Sequence, residues 1–270
     1  MSDTTYVINT FSYIWRQPVH ECIAHLADQG YREFEVLLTA PHLWPVNFAF
    51  AARRSLAQTV EQRGARILSL NAGGFDYNLA SPAEDVRAFA RNYLIAAMDL
   101  AADLGVRDIV MAPGTGRPLM PPPKEAMLGW FRAGMESLVR HAESRDVRLL
   151  MENVPFSFLP RIEGIVKAIG DFPADRVGVV YDVANAVFVR EDPVGGLQHV
   201  ASRLYLIHLS DTPLDVWRHD AVGTGVVPFE RVGAALRELD YRGPVVLEII
   251  SPDPDRDIRE SIAVLGQQGW

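Results

Sequence analysis

The chain has 270 residues, of which 49% are hydrophobic and 22% are charged. This length and composition suit one large α/β domain with a sizeable core and exclude disorder as the main state. The formal net charge is -8 and there is no long basic run, so we expect no nucleic-acid partner, because such binding depends on Lys and Arg contacts to phosphate.

Short apolar runs alternate with longer amphipathic stretches along the whole chain. Eight of these runs have the length and the nearly continuous apolar character of strands that are buried on both faces. In chain order they are Tyr6–Thr10, Phe34–Leu38, Arg66–Leu70, Asp108–Ala112, Arg148–Glu152, Val177–Asp182, Leu204–Leu209 and Val245–Ile249. The stretches between them, such as Ala83–Leu104 and Lys124–Arg145, are long enough for helices, and Gly30, Gly64 and Gly105 stand where helices should end.

Strict alternation of strand and helix predicts a parallel sheet with right-handed crossovers. Eight such units favour closure into a barrel over an open sheet. No GxGxxG motif follows the first strand, so the nucleotide-binding form of the open sheet has little support. Because no linker or low-complexity segment interrupts the pattern, we predict a single (β/α)8 TIM barrel domain over residues 1–270.

The sequence also bears on location. No apolar run reaches the roughly 18 residues that a membrane span requires, and the first ten residues lack the pattern of a signal peptide. The single cysteine, Cys22, has no partner for a disulfide or for a CxxC zinc site. We therefore expect a cytoplasmic protein with no membrane partner.

The active site of a TIM barrel forms at the carboxyl ends of its strands. Each of the last four predicted strands carries one metal-binding side chain at or near that end, namely Glu152, Asp182, His208 and Glu248. Their spacings of 30, 26 and 40 residues are each about one strand–helix repeat. Three carboxylates and one imidazole make a mostly oxygen site, which favours Mn²⁺, Mg²⁺ or Co²⁺ and admits Zn²⁺.

Each of these residues also has a structural interpretation when it is taken alone. His208 could be a buried histidine of the core, and Asp182 could cap the helix that follows it. Glu152 and Glu248 are harder to explain in this way, because a carboxylate between buried neighbours is costly unless it is paired or binds a metal. We therefore favour one metal site that is built from all four side chains.

Motifs in the second half of the chain resemble those of the xylose-isomerase-like barrel superfamily, in particular its sugar isomerase/epimerase branch. That branch includes ketose 3-epimerases, hydroxypyruvate isomerase, and inosose isomerases and dehydratases; endonuclease IV is more distant. The matching motifs are Glu152–Asn153, the Asp-x-x-Asn at Asp182–Asn185, the His-Leu-Ser-Asp at His208–Asp211, the Arg-His-x-x-x-Gly-x-Gly at Arg218–Gly225, then Phe229 and Glu248.

The resemblance implies a divalent-metal-dependent isomerase or epimerase that acts on a keto-sugar, keto-acid or inositol-type polyol. In such enzymes four ligands hold one metal ion, for which Mn²⁺ is our first expectation, and two glutamates act as acid and base on opposite faces of the substrate. In this chain those glutamates would be Glu152 and Glu248. The cation would stabilise an enediolate, which forms when a proton leaves the carbon beside a carbonyl. Dimers or tetramers are common among related barrels.

Three positions depart from the better-defined members of the superfamily. Asn185 stands where ketose epimerases have a histidine that contacts sugar, and Phe158 stands where they have a second glutamate. Trp217 replaces the aspartate of the Asp-Arg-His motif of endonuclease IV. The first two differences speak against a ketose 3-epimerase. The third, with the acidic net charge, speaks against an abasic-site endonuclease with three metal ions.

Several residues are candidate contacts for a carbohydrate or polyol substrate. Arg218 suits carboxylate or phosphate oxygens, and an ordinary surface arginine is the alternative. Asn185, His42 and Asn71 could bind hydroxyl groups, while aromatic side chains could cover the apolar faces of a sugar. The aromatic candidates on the early loops are Phe11, Trp15, Trp44 and Phe75. Loop packing or a subunit interface would explain the loop residues equally well.

Other functions compete with the isomerase hypothesis. A lyase would use the same enediolate to expel a β-hydroxyl, as in inosose dehydratases. A retaining glycosidase would use Glu152 and Glu248 as acid and nucleophile, but it would leave Asp182 and His208 without a role. A non-catalytic barrel would keep the metal as a structural element or sense a ligand.

Overall fold

Eight parallel strands, each connected to the next by helix, follow one another around a closed barrel. The computed structural model describes residues 5–74 and 76–270. Strands β1 to β8 are Tyr6–Asn9, Glu33–Leu37, Arg66–Asn71, Asp108–Met111, Arg148–Glu152, Val177–Asp182, Leu204–Leu209 and Val245–Leu247. Strand β8 pairs with both β7 and β1, which closes the sheet. The predicted TIM barrel is therefore confirmed.

Helices α1 to α9 of the described residues connect these strands. They are Val19–Asp28, Phe50–Gln62, Glu84–Leu104, Lys124–Arg145, Ile162–Ile169, Val183–Phe188, Pro193–Val200, Phe229–Glu238 and Pro254–Gln267. The connection between β6 and β7 contains two helices, α6 and α7, and the first begins directly where β6 ends. Gly30, Gly64 and Gly105 have φ angles of +101°, +57° and +69°, as expected where glycine ends a helix. No helix in the described ranges is both long and apolar enough to cross a membrane.

Several strands end earlier than the apolar runs predict. Strand β1 ends at Asn9 rather than Thr10, and β8 ends at Leu247 rather than Ile249. The backbone N–H of Glu248 still donates to the carbonyl of Leu209 at 3.1 Å. The apolar run is thus longer than the strand, because the residues after the last paired position of β8 are still buried at the barrel mouth.

The inside of the barrel is apolar below its mouth and polar at its mouth. The apolar layer consists of buried side chains from six strands: Val7, Val110, Leu150, Val180, Leu206 and Val246. Five of these are followed two positions later by a polar residue, namely Asn9, Glu152, Asp182, His208 and Glu248. Because side chains two apart on a strand share a face, the polar residues form the next layer up.

An ion pair joins β4 and β5 at the amino-terminal end of the barrel. Asp108 and Arg148 are register partners, and the guanidinium binds the carboxylate through two contacts of 2.7 Å. The Arg148 Cζ atom lies 3.5 Å from the ring centroid of Tyr205. The two charged side chains are only 13% and 14% exposed, so each one depends on the other for compensation of its charge.

Replacing Arg148→Ala should lower the free energy of unfolding by about 2 kcal/mol, because the substitution leaves the largely buried Asp108 carboxylate unpaired. Denaturant unfolding of both proteins measures the difference. Arg242→Ala is the matched control: it breaks an ion pair with Asp240 in which the side chains are 84% and 78% exposed, so stability should hardly change. Equal effects of the two substitutions would contradict this expectation.

Candidate metal centre

The four predicted metal ligands meet at the mouth of the barrel. One ligand atom from each of Glu152, Asp182, His208 and Glu248 lies within 4.8 Å of the others, and all four residues are buried. Asp182 and His208 are register partners on β6 and β7. This group could hold one metal ion.

His208 directs its Nδ1 atom at the three carboxylates. The distances from Nδ1 are 3.2 Å to Oε2 of Glu248, 3.4 Å to Oε1 of Glu152 and 3.9 Å to Oδ2 of Asp182. Neither this Nδ1 nor Oδ2 of Asp182 has a hydrogen-bond partner, although both atoms are buried. Buried polar atoms without a partner are rare in folded proteins. A cation placed between the two atoms would satisfy both, so the donor set fits a metal ion.

Charge at the mouth also favours a cation. A fourth carboxylate, Glu35, is buried beside the cluster, and the buried residues of ranges 5–74 and 76–270 include no Lys or Arg. Burial raises the pKa of Asp182 well above its usual value, and the charges of Glu248 and Glu152 raise it further. Burial likewise raises the pKa of Glu248, although His208 opposes this shift. The protein alone therefore leaves negative charge poorly compensated here.

His208 supplies the main positive charge that the cluster can have without a metal. Burial by itself would lower the pKa of His208, but the carboxylates of Glu35 and Glu248 reverse this effect and hold the pKa well above its usual value. The imidazole thus responds to the same excess of negative charge that a divalent cation would neutralise.

The two carboxylate oxygens of Asp182 have different surroundings. The backbone N–H of Asn185 donates to Oδ1 of Asp182 at 2.6 Å, so this carboxylate caps α6. Its Oδ2 atom faces the cluster. The side chain of Asn153 bonds both backbone groups of Asp182, at 2.8 and 2.9 Å. The capping and ligand interpretations of the sequence are therefore compatible, because each uses a different oxygen.

Asn9 and Glu35, on β1 and β2, complete the polar layer and were not among the residues predicted from the sequence. The Nδ2 atom of Asn9 donates to Oε1 of Glu35 at 2.7 Å and to Oε1 of Glu248 at 3.1 Å. Glu35 in turn lies 2.9 Å from the Nε2 atom of His208. Asn9 is two positions after Val7 on β1, so strand alternation could have predicted that it faces the inside of the barrel. Glu35 lies inside an apolar run, and no motif marks it.

His219, from the motif at Arg218–Gly225, is a second histidine of the site. Its Nδ1 atom lies 3.3 Å from Oε2 of Glu248 and 3.1 Å from Oγ of Ser210. Burial, and then the charge of His208, lower the pKa of His219 to about 3. The low pKa favours the neutral form of this imidazole beside Glu248.

Two predicted substrate contacts lie at the cluster itself. Asn71 and Asn185 line a small cavity of about 30 Å³ together with Glu152 and Glu248. The Nδ2 atom of Asn185 lies 3.4 Å from Oε1 of Glu152, and its Oδ1 accepts a hydrogen bond from the indole of Trp217 at 2.6 Å. These amides hold the glutamates and face the same space.

Two other predicted contacts line cavities that share lining residues with that small cavity. Trp15 lines a cavity of about 690 Å³ and is largely exposed. Arg218 lines another of about 340 Å³, with its Nη1 atom 3.6 Å from Oδ2 of Asp220. Phe11 lines all three cavities, so they adjoin one another at the mouth, and we call the three together the cleft.

The structure does not bring His42 to the cluster. This residue is buried, and its Nδ1 donates to the carbonyl of Gln17 at 2.9 Å. It lines a separate cavity of about 360 Å³, whose lining includes none of the four predicted ligands. The loop after β2 turns His42 toward α1, so the expectation of a hydroxyl contact gains no support. The loop aromatic Phe75 lies outside the described residues.

Comparisons with known proteins agree with this architecture. A model of the family described as xylose isomerase-like TIM barrel matches residues 23–268. The L-ribulose-5-phosphate 3-epimerase UlaE of Escherichia coli strain K12 is 27% identical over 236 residues, which cover 85% of this chain and 81% of that protein.

Solved structures match the fold over nearly the whole chain. D-psicose 3-epimerase with D-tagatose, from Clostridium cellulolyticum H10, has a TM-score of 0.82 at 17% identity and covers 98% of this chain and 99% of its own. The IolI protein with a binding zinc atom has a TM-score of 0.80 at 18% identity, with coverages of 98% and 96%. At these identities the likeness shows the fold.

The substitution Asp182→Asn should stabilise the metal-free protein by about 1 kcal/mol and weaken its response to metal. The amide keeps the oxygen that caps α6 but removes one of the crowded negative charges. Denaturant unfolding in a chelator, and again with Mn²⁺, measures both effects. Asp175→Asn, at a surface position where the side chain is 70% exposed, should change neither. A less stable variant that still gained stability from Mn²⁺ as wild type does would contradict the prediction.

Proposed function

The chain belongs to the xylose isomerase-like TIM barrel family, and we propose that it is a divalent-metal-dependent isomerase or epimerase of a keto-sugar. The observation that carries this proposal is the buried group of three carboxylates and one imidazole at the barrel mouth. The names of similar proteins support the substrate class, because they include epimerases of ribulose 5-phosphate and of psicose.

The proposed ligands are Glu152, Asp182, Nδ1 of His208 and Glu248. A set rich in carboxylate oxygens supports Mn²⁺ as our first choice of metal. When bound, such a cation would stabilise negative charge that develops on a substrate oxygen beside the reacting carbon.

We assign proton transfer to Glu152 and Glu248. Glu152 is the last residue of β5 and Glu248 directly follows β8, three strands away, and both line the small central cavity. One carboxylate removes the proton from the carbon beside the carbonyl, which leaves an enediolate, and the other returns a proton from the opposite side. If the proton returns to the same carbon, the configuration of that carbon is inverted. If a proton is added to the neighbouring carbon instead, a ketose and an aldose are interconverted.

Amide groups orient both glutamates for this role. The Nδ2 atom of Asn185 approaches Oε1 of Glu152, while the amides of Asn9 and Asn71 approach Oε1 of Glu248 at 3.1 and 3.4 Å. On each glutamate these amides engage the Oε1 atom. The second oxygen of Glu248, Oε2, faces the cluster instead.

The clustering also bears on the alternative functions. A retaining glycosidase needs two carboxylates, and it would leave Asp182 and His208 without a purpose beside them. The proposed metal centre gives all four residues one common task. A lyase would share the centre, so its products distinguish it from the isomerase.

The decisive experiment supplies Mn²⁺ to metal-free protein in D₂O and offers D-fructose, D-tagatose, D-psicose and L-ribulose, with and without a terminal phosphate. We expect deuterium at the carbon beside the carbonyl, appearance of an epimer or aldose, and loss of both with a chelator. Loss of water from the substrate would indicate a lyase. Activity that survives the chelator would overturn the proposal.

Replacing Glu152→Gln or Glu248→Gln should lower kcat about 10³-fold, because each amide keeps an oxygen at the site but cannot accept the proton. The initial rate of deuterium incorporation at saturating Mn²⁺ measures the loss. Glu163→Gln provides the control, since Glu163 is an exposed residue in the first turn of α5 and its loss should leave kcat unchanged. A Glu152 or Glu248 variant as fast as this control would exclude that residue as acid or base.

Replacing Arg218→Ala should raise KM about tenfold with little change in kcat, because the guanidinium would bind a part of the substrate that does not react. Steady-state kinetics with the substrate that the experiment in D₂O identifies give kcat and KM separately. Arg231→Ala is the matched control: Arg231 is exposed, has an acidic partner in Asp192 at 3.3 Å, and lies outside the three cavities of the cleft. An unchanged KM for the Arg218 variant would remove this residue from the substrate contacts.

A further inference from the structure

Glu35 is a buried carboxylate that the proposed reaction does not use. It lies in the middle of β2, and its side chain is 0% exposed. A buried carboxylate is costly unless charge and hydrogen bonds compensate it. Glu35 is also absent from the group of residues that could hold a metal ion. Its burial beside the proposed centre therefore calls for a different role.

The two nitrogens of His208 face different groups. Nδ1 faces the three carboxylates of the centre, whereas Nε2 lies 2.9 Å from Oε1 of Glu35, although the angle there departs from that of a good hydrogen bond. With a metal bound, the imidazole of His208 would be neutral and carry one proton, and a carboxylate beside Nε2 favours that proton on Nε2. The lone pair is then on Nδ1, which is the nitrogen that faces the proposed metal position.

Glu35 is itself held in place from both neighbouring strands. Ser69 on β3 donates from Oγ to Oε2 of Glu35 at 2.7 Å. Asn9 on β1 and Asn71 on β3 donate to Oε1 at 2.7 and 3.2 Å. These contacts come from barrel strands rather than loops, so the carboxylate has a fixed direction.

The same amides connect Glu35 to a second proposed ligand. The Nδ2 atoms of Asn9 and Asn71 lie between Oε1 of Glu35 and Oε1 of Glu248. Glu248 consequently presents Oε2 toward Nδ1 of His208, at 3.2 Å. One buried network thus sets the direction of an imidazole and of a carboxylate.

We propose that Glu35 is the positioning residue that fixes the ring direction and the tautomer of His208 for metal binding. This inference rests on the metal centre of the proposed function. Groups that orient metal ligands from behind in this way change metal affinity by 10- to 100-fold in known sites. Glu35 therefore contributes to metal affinity without touching the metal.

The test is calorimetric titration of the metal-free full chain with Mn²⁺. Glu35→Gln should bind Mn²⁺ about 10- to 100-fold more weakly than wild type. Glu33→Gln is the matched control: Glu33 is two positions earlier on the same strand and pairs with Arg66, so the same loss of charge should leave the affinity unchanged. Wild-type affinity in Glu35→Gln would overturn the inference. Wild-type protein that binds no Mn²⁺ would instead refute the metal centre itself.

A second readout separates positioning from general stability. In Zn²⁺-loaded protein with ¹⁵N-labelled histidine, the Nε2 proton of His208 should resonate far downfield, and Glu35→Gln should move it upfield. Should that variant fail to fold, Ser69→Ala removes one hydrogen bond to Glu35 and touches no proposed ligand. Its Mn²⁺ affinity should then fall about fivefold. An unmoved resonance, or unchanged affinity in Ser69→Ala, would contradict the proposed role of Glu35.

Discussion

The barrel mouth gathers four carboxylates away from water, and the rest of the site follows from how that charge is compensated. Burial makes each negative charge costly, and the buried residues of the described ranges contain no Lys or Arg. His208 stands between Glu35 on one side and the other three carboxylates on the other. Side-chain amides donate hydrogen bonds to other oxygens of these carboxylates. Nδ1 of His208 and Oδ2 of Asp182 remain buried without a hydrogen-bond partner and lie 3.9 Å apart, which is a suitable environment for a divalent cation.

The barrel is what allows such a charge cluster to exist. Its interior is a packed apolar layer up to Val180 and Val246, and on five of the six strands of this layer a polar residue follows two positions later. The apolar layer separates the cluster from the opposite end of the barrel, where Arg148 and Asp108 form their own pair. Compensation is therefore local at each end. Closure between β1 and β8 places Asn9 within reach of Glu248 although 239 positions separate them.

Two of the three positions that differ from the related motifs quoted above contact each other. Asn185 and Trp217 each replace a residue of a related motif, and in the structure the Trp217 indole donates to the Asn185 side chain at 2.6 Å. The two departures thus support each other. Phe158, the third such position, packs against Phe131 at a ring distance of 5.8 Å. This side chain is buried and makes an aromatic contact, so it contributes to packing behind the mouth.

Local pattern determined the eight strands, the alternation that closes them into a barrel and the four candidate ligands, because strand period and motif spacing are properties of neighbouring residues. The tertiary structure alone decided which other polar residues join the site. Glu35 stands in an apolar strand and His219 in a loop, and their contacts to His208 and Glu248 arise only when distant strands become neighbours. His42, which was predicted to contact substrate, lies away from the cluster. The direction of its loop depends on the helices that the loop packs against, and local sequence does not show this packing.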